Sequence, residues 1–192
     1  MTFVQRSSSV AGRRGARSAT RRGFTLIETA LATVIVGTGV LAIISAQQAF
    51  HRQNAWSTQT SIATHLGNEI REMTLNLPRH DPVTNDEFWG AEDNETWLGD
   101  FDDLDDFDGD GGGLIFSSAL ANGPINARRE TIPNMDGWAQ IVTVSNIDPF
   151  DITSAQADGT TDFIRVEVVV TYQRKTTDDP IEMTRVSWLA PN

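Results

Sequence analysis

Cysteine is absent from this sequence of 192 residues. The absence excludes disulfide bonds, thiolate zinc sites and cysteine nucleophiles. Hydrophobic residues make up 39% of the chain, which is enough for a modest core. An exported domain with this sequence therefore has to be stabilised by its core or by a metal ion.

Familiar catalytic motifs are also missing. The sequence contains no G-x-S-x-G nucleophile motif, no H-E-x-x-H zinc motif and no phosphate-binding P-loop. Its three histidines are His51, His65 and His80, and the first two are too far apart along a predicted helix to share a metal ion. We therefore expect no enzymatic activity, and a membrane-anchored enzyme is the least favoured hypothesis.

Basic residues are few after position 23. Residues 1–23 contain six arginines and no acidic residue, whereas residues 24–192 contain the other 9 basic residues and all 26 acidic residues, a net charge of −17. This division predicts a basic targeting leader followed by an acidic body. Because an acidic surface repels phosphates, no nucleic-acid partner is expected.

Residues 24–46 form a long apolar segment whose single charge is Glu28. As a helix this segment would be roughly 35 Å long, close to the apolar thickness of a bilayer. A buried core helix can be equally apolar, but the basic residues before the segment and the polar residues after it favour a membrane span with a cytoplasmic N-terminus. The segment is therefore predicted to be the transmembrane half of a helix that crosses the inner membrane once, with the C-terminal domain outside the cytoplasm.

Helical periodicity continues beyond the membrane segment. Apolar residues recur at steps of four and three, which places them on one side of a helix. These residues are Ile62, Leu66, Ile70, Met73 and Leu77. Pro78 is expected to end the helix. Residues 47–77 are thus predicted as the amphipathic half of the same helix, with a domain packed on its apolar side.

Two further regions follow the helix. Residues 78–135 are rich in proline, glycine and aspartate, which predicts an acidic loop region. Residues 136–192 contain alternating apolar and polar positions, which predict an antiparallel β-sheet. The predicted strands are 138–147, 163–172 and 181–189. The expected fold class is α+β, a long N-terminal α-helix packed through its amphipathic half on a small antiparallel β-sheet.

The junction at Gly23 is the most informative local pattern. An ordinary secretory signal places its apolar core before the cleavage site, but in the sequence RRGFTLIE at 21–28 the basic residues and the glycine come first. Cleavage after Gly23 would remove the leader 1–23 and leave the membrane helix on the mature protein. Phe24 would then be the new N-terminus.

Glu28 lies one helical turn inside the apolar segment. A carboxylate in the apolar part of a bilayer is costly, so it requires a cationic partner. The new amine of Phe24 in an adjacent copy would supply one, which makes Glu28 an assembly residue. The alternative is that Glu28 is an acidic residue at a helix N-terminus, favoured there by the helix dipole.

The segment Gly23-Phe24-Thr25-Leu26-Ile27-Glu28 resembles the class III signal of type IV prepilins and type II secretion pseudopilins. The resemblance implies that prepilin peptidase cleaves after Gly23 and methylates Phe24, and that Glu28 acts in assembly. It also implies a pilin-like fold and a filament formed with other pilin or pseudopilin subunits, at the cell surface or in the periplasm.

The helix is similar in particular to those of PilV-like minor pilins and I-type pseudopilins. Major pilins have a proline where this chain has Ser45. The resemblance therefore implies a minor pilin or pseudopilin, assembled into a type IV pilus or a type II secretion filament. Gly37 and Gly39 in the membrane segment are explained equally well by close helix packing and by the general tolerance of membrane helices for glycine.

The region 78–135 contains a candidate metal site. Residues 106–111 fit D-x-D-x-D-G, the opening of a calcium loop, with Asp106, Asp108 and Asp110 as candidate ligands. The twelfth position is Ser117 instead of glutamate, so a complete EF-hand loop is absent. A bound calcium ion would be the cofactor of this protein and would replace the stabilising effect of a disulfide. The alternative is a solvated acidic loop without a metal ion. A calcium site suggests a second hypothesis for function, a calcium-stabilised adhesin or binding module at a pilus tip.

Overall fold

The computed structural model describes residues 23–79, 89–92, 95–109 and 112–190. Its single α-helix and five strands are α1 (Leu26–Thr74), β1 (Leu114–Ser117), β2 (Trp138–Asp148), β3 (Asp151–Ala155), β4 (Ile164–Tyr172) and β5 (Ile181–Leu189). Two 3-10 turns lie between α1 and β2, at Asp105–Asp108 and Ser118–Leu120. A long apolar N-terminal helix followed by an antiparallel sheet confirms the predicted α+β arrangement.

The chain divides into two compact units, residues 1–49 and residues 50–192. In the first unit, every residue from 23 to 49 is exposed. The most apolar window of α1, 18 residues long, has a mean hydropathy of 2.1 and is 0% buried. The helix is therefore long and apolar enough to span a membrane, and its exposure does not fit the alternative of a buried core helix.

The second unit contains the sheet. Across the sheet the strands follow the order β1-β2-β4-β5. The fifth strand, β3, is not part of this order and pairs with β2. All pairings are antiparallel, with Val142 opposite Val168 between β2 and β4, and Val166 opposite Trp188 between β4 and β5. β2, β4 and β5 lie at the three segments in which alternating apolar and polar residues predicted strands.

The core of this unit forms between α1 and one face of the sheet. On the helix, Leu66, Ile70 and Met73 are buried. They belong to the same apolar cluster as the inward side chains of β4. These side chains are Ile164, Val166, Val168 and Val170. Apolar residues recur about every 3.6 positions along the helix and at every second position along the strand, so each element has one apolar face. These two faces pack against each other.

The sheet also contains two strands that the sequence did not predict. β1 lies inside the region 78–135, which was expected to be loop throughout. Its four residues are too few to show an alternation, and pairing with the edge of β2 makes it a strand. β3, with the sequence DITSA, is mostly exposed and so has no apolar face to reveal it. The helix begins at Leu26 and ends at Thr74, inside the predicted span 24–77.

Candidate functional site

The first candidate site is the start of α1. The Glu28 backbone N–H donates to Thr25 Oγ1 at 3.3 Å, and the Thr25 N–H donates to Glu28 Oε2 at 3.4 Å. This reciprocal pair is a capping box, which satisfies two backbone donors that a helix start leaves free. Glu28 thus has a local function within one copy of the chain, as the helix-terminus alternative expects. The intermolecular function of Glu28 stays a prediction.

The backbone at the predicted cleavage point is accessible. Nothing comes within 4 Å of a Cβ built on Gly23, and the Phe24 side chain is 80% exposed. A protease could therefore reach the peptide bond between these two residues. The remainder of the predicted leader, residues 1–22, lies outside the described residues.

The second candidate site is an acidic cluster around the 3-10 turn Asp105–Asp108. Leu104 and Phe107 are three positions apart, so they lie on the same side of this turn, and both are buried in the core, at 1% and 0% exposure. Phe107 also packs edge-to-face against Phe101, with ring centroids 5.4 Å apart. Burial of these apolar side chains draws the intervening acidic residues into the protein. The buried aspartates are Asp103, Asp105, Asp106 and Asp108. The interpretation as a solvated acidic loop is therefore wrong for these four residues.

Hydrogen bonds fix the carboxylates of the turn. The Asp106 N–H donates to Asp103 Oδ1 at 3.2 Å, and Asp106 Oδ2 accepts from the N–H groups of Asp102 at 2.9 Å and Asp103 at 3.2 Å. The other oxygen, Asp106 Oδ1, is buried and accepts no hydrogen bond within the described part of the chain. This oxygen can be satisfied by a proton shared with the neighbouring Glu95 carboxyl or by a bound cation.

Asp106 belongs to two groups of carboxylates. It can place an oxygen within 4.8 Å of oxygens from Glu92 and Glu95, and likewise of oxygens from Asp102 and Asp103. Glu95 is 9% exposed. Among the described residues, no arginine, lysine or histidine forms an ion pair with Glu95, Asp103 or Asp106.

Burial disfavours the charged form of these groups. Burial, with the neighbouring Asp105 as the second cause, raises the pKa of Asp103 to about 8. Burial likewise raises the pKa of Asp105 and of Asp106 to about 6, and it raises the pKa of Glu95, where Asp106 is a second cause. Carboxyl groups in this arrangement are stabilised either by sharing protons or by binding a cation.

The structure separates the three predicted calcium ligands. Asp106 lies at the centre of the cluster, whereas Asp108 Oδ2 accepts a hydrogen bond from Trp89 Nε1 at 3.0 Å and belongs to neither carboxylate group. Asp110 lies outside the described residues. Sequence reasoning missed Glu92 and Glu95, because their only signal is a spacing of three positions and nothing in the sequence joins them to Asp106.

The fold and these two sites define an α+β protein with one helix able to span a membrane and a buried cluster of carboxylates in its body. Comparison with known protein families, with curated proteins and with solved structures finds no match for this chain.

Proposed function

We propose that this chain is a minor pilin or pseudopilin subunit. The observation that supports the proposal is the sequence RRGFTLIE, placed directly before an apolar helix whose first half is exposed and whose second half packs on an α+β body. The proposed processing partner is prepilin peptidase, which cleaves after Gly23 and methylates Phe24. The other proposed partners are pilin or pseudopilin subunits of a type IV pilus or type II secretion filament.

Charge explains how processing would lead to assembly. The leader 1–23 contains six arginines, which favour the cytoplasmic side of the inner membrane. Removal of the leader eliminates these charges and creates one amine at Phe24, a cation of the right size for the carboxylate of Glu28 in a neighbouring copy. The exposed apolar half of α1 then packs against other helices of the filament. The body lies outside the cytoplasm in this arrangement.

Processing is tested by mass spectrometry of the chain purified from cells that contain a prepilin peptidase. The expected N-terminal peptide begins at methylated Phe24. The variant Gly23→Val should keep its leader, because a β-branched side chain crowds the backbone next to the scissile bond. Gly39→Ala is the matched control, since a Cβ at this position also meets nothing within 4 Å, and it should be processed normally. A leader that remains on the unaltered chain in these cells would falsify the proposal.

The buried carboxylate cluster favours a second candidate, a calcium-stabilised adhesin or binding module at a pilus tip. Gold-labelled antibodies against the body, residues 112–190, distinguish the two candidates on isolated filaments. Label confined to filament ends supports the tip module, whereas label spaced along the filament contradicts it.

A further inference from the structure

We propose that Glu92, Glu95 and Asp106 bind one calcium ion, at a site different from the D-x-D-x-D-G pattern of the sequence. This site stabilises the body of the protein whether or not the chain assembles into a filament, so it goes beyond the proposed function.

The spacing of the oxygens fits calcium. The three carboxylates each place one oxygen within 4.8 Å of the others. Two oxygens that bind the same calcium ion at 2.3–2.6 Å can be at most about 5 Å apart. A single ion can therefore contact all three side chains without a change in the backbone.

The unpartnered oxygen of Asp106 is the second, independent observation. Asp106 is 1% exposed, its Oδ2 is held by two backbone N–H groups, and its Oδ1 accepts no hydrogen bond from a described residue. A buried acceptor without a donor is costly, and a buried carboxylate is normally paired with a cation or bound to a metal. Two backbone N–H groups hold Oδ2 in place, and the Glu95 carboxyl lies within hydrogen-bonding reach of the Asp106 side chain.

The chemistry of the site selects a hard cation. All three side chains offer carboxylate oxygens, and the chain has no cysteine that would favour zinc. Calcium accepts irregular coordination and carboxylates that bind through one or both oxygens, whereas magnesium requires an octahedron and retains its waters. Asp106 also lines a cavity of about 600 Å³ next to Asp108 and Asp158, which has room for water molecules beside this carboxylate.

The ion would connect two segments of the chain. Asp106 lies on the 3-10 turn that Leu104 and Phe107 anchor in the core, whereas Glu92 and Glu95 belong to the segment before it. Calcium therefore joins this segment to the core, which is the function that a disulfide fulfils in other exported domains. Since the ion binds the folded chain only, it raises the stability of the body by mass action.

The test uses the purified full-length chain in detergent, first depleted of metal with a chelator and then titrated with calcium chloride in a calorimeter. We expect saturable binding of one ion per chain. At a calcium concentration 100 times the Kd, the melting temperature of the body should rise by roughly 5–10 °C. Extracellular calcium modules bind with Kd values up to about 1 mM, so the absence of saturable binding at concentrations up to about ten times that value overturns the proposal.

Three variants locate the site. Glu95→Gln keeps the shape of the side chain, removes one ligand charge and should weaken calcium binding roughly tenfold or more. Asp100→Asn is the matched control, because Asp100 is an exposed acid of the same region; it should bind as the unaltered chain does. Asp102→Asn tests the other carboxylate group, and a loss of binding in this variant while Glu95→Gln still binds contradicts the proposed ligands. The melting temperature of each variant without calcium shows whether it is folded.

Discussion

Gly67 lets α1 approach the sheet closely. A Cβ at this position would lie 2.8 Å from Val186 Cγ2 and 3.8 Å from Val170 Cγ2. Val186 cannot easily move away, because a β-branched side chain has few rotamers. Glycine has a low helix propensity, but it fits at this position because any larger residue would come too close to the sheet.

The variant Gly67→Ala should destabilise the body. Overpacking costs about 1–3 kcal/mol, and the better helix propensity of alanine returns at most about 1 kcal/mol, so we expect the free energy of unfolding to fall by about 1–2 kcal/mol. Denaturant unfolding of the chain in detergent measures the change. Gly39→Ala, in the open part of the same helix, should leave the unfolding of the body unchanged. If Gly67→Ala and Gly39→Ala were equally stable, the close contact at position 67 would be relieved without a loss in the free energy of unfolding.

Gln140 is a buried polar residue whose side chain is fully hydrogen-bonded. Its Nε2 donates to Leu66 O at 2.8 Å and to Ile125 O at 3.1 Å, and its Oε1 accepts from the Ile125 N–H at 2.8 Å. One side chain on β2 thereby connects the helix, the sheet and the loop at Ile125.

Replacement of Gln140 by leucine should leave the buried Ile125 N–H without an acceptor. The expected cost is about 1–3 kcal/mol in the free energy of unfolding, although leucine is more apolar than glutamine. Gln156→Leu, at an exposed position, is the control and should change stability by less than about 0.5 kcal/mol. A Gln140→Leu variant as stable as the control would mean that water or a shifted backbone replaces the lost acceptor.

At the scale of an element, the 3-10 turn Asp105–Asp108 shows how apolar and acidic residues oppose each other. Leu104 and Phe107 gain free energy by burial, while the aspartates beside them lose their hydration. The balance depends on Phe107, which is 0% exposed and packs against Phe101. The turn therefore stays inside only while its apolar residues fill the core.

The variant Phe107→Ala should remove most of the apolar burial that keeps the acidic turn inside the protein. Loss of a buried phenylalanine costs about 3–5 kcal/mol, and the acidic turn should become exposed and lose its calcium affinity at the same time. Thermal unfolding and calcium titration measure the two effects together. Trp97→Ala is the control, because the Trp97 side chain is 76% exposed and contributes little to the core. If Phe107→Ala bound calcium as tightly as the control, the turn would not depend on its apolar anchor.

At the scale of the whole molecule, one substitution can separate the capping box that Glu28 forms from its proposed function in assembly. Glutamine at position 28 can still accept from the Thr25 N–H, as in a T-x-x-Q capping box, but it has no charge for an amine of a neighbouring copy. Glu28→Gln should therefore preserve the helix start and remove most of the assembled filament.

Electron microscopy of filaments sheared from cells measures this loss, and circular dichroism of the purified chain measures the helix content. Glu72→Gln, at an exposed acidic position of the same helix, should assemble normally. Filaments of Glu28→Gln at the level of the unaltered chain would leave the capping box as the sufficient explanation of Glu28.

The elements that could be predicted are those with a local period. The spacing of Leu66, Ile70 and Met73 indicated the buried side of α1, and the alternation from Ile164 to Val170 indicated the inner face of β4, since both patterns are complete within one element. β1 and β3 could not be predicted in this way, because one is too short and the other too polar, and both exist through pairing with β2.

The sequence by itself determined the order of the basic segment 1–23, the apolar helix and the strand-forming segment, because each follows from composition or from a local period. It also placed Gly23, Phe24 and Glu28 in the pattern on which the proposed function rests. Only the tertiary structure decided which carboxylates meet. Asp106 is buried because Leu104 and Phe107 fill the core, and it faces Glu92 and Glu95 because the chain folds back on itself between them, a contact between distant positions that no local pattern records.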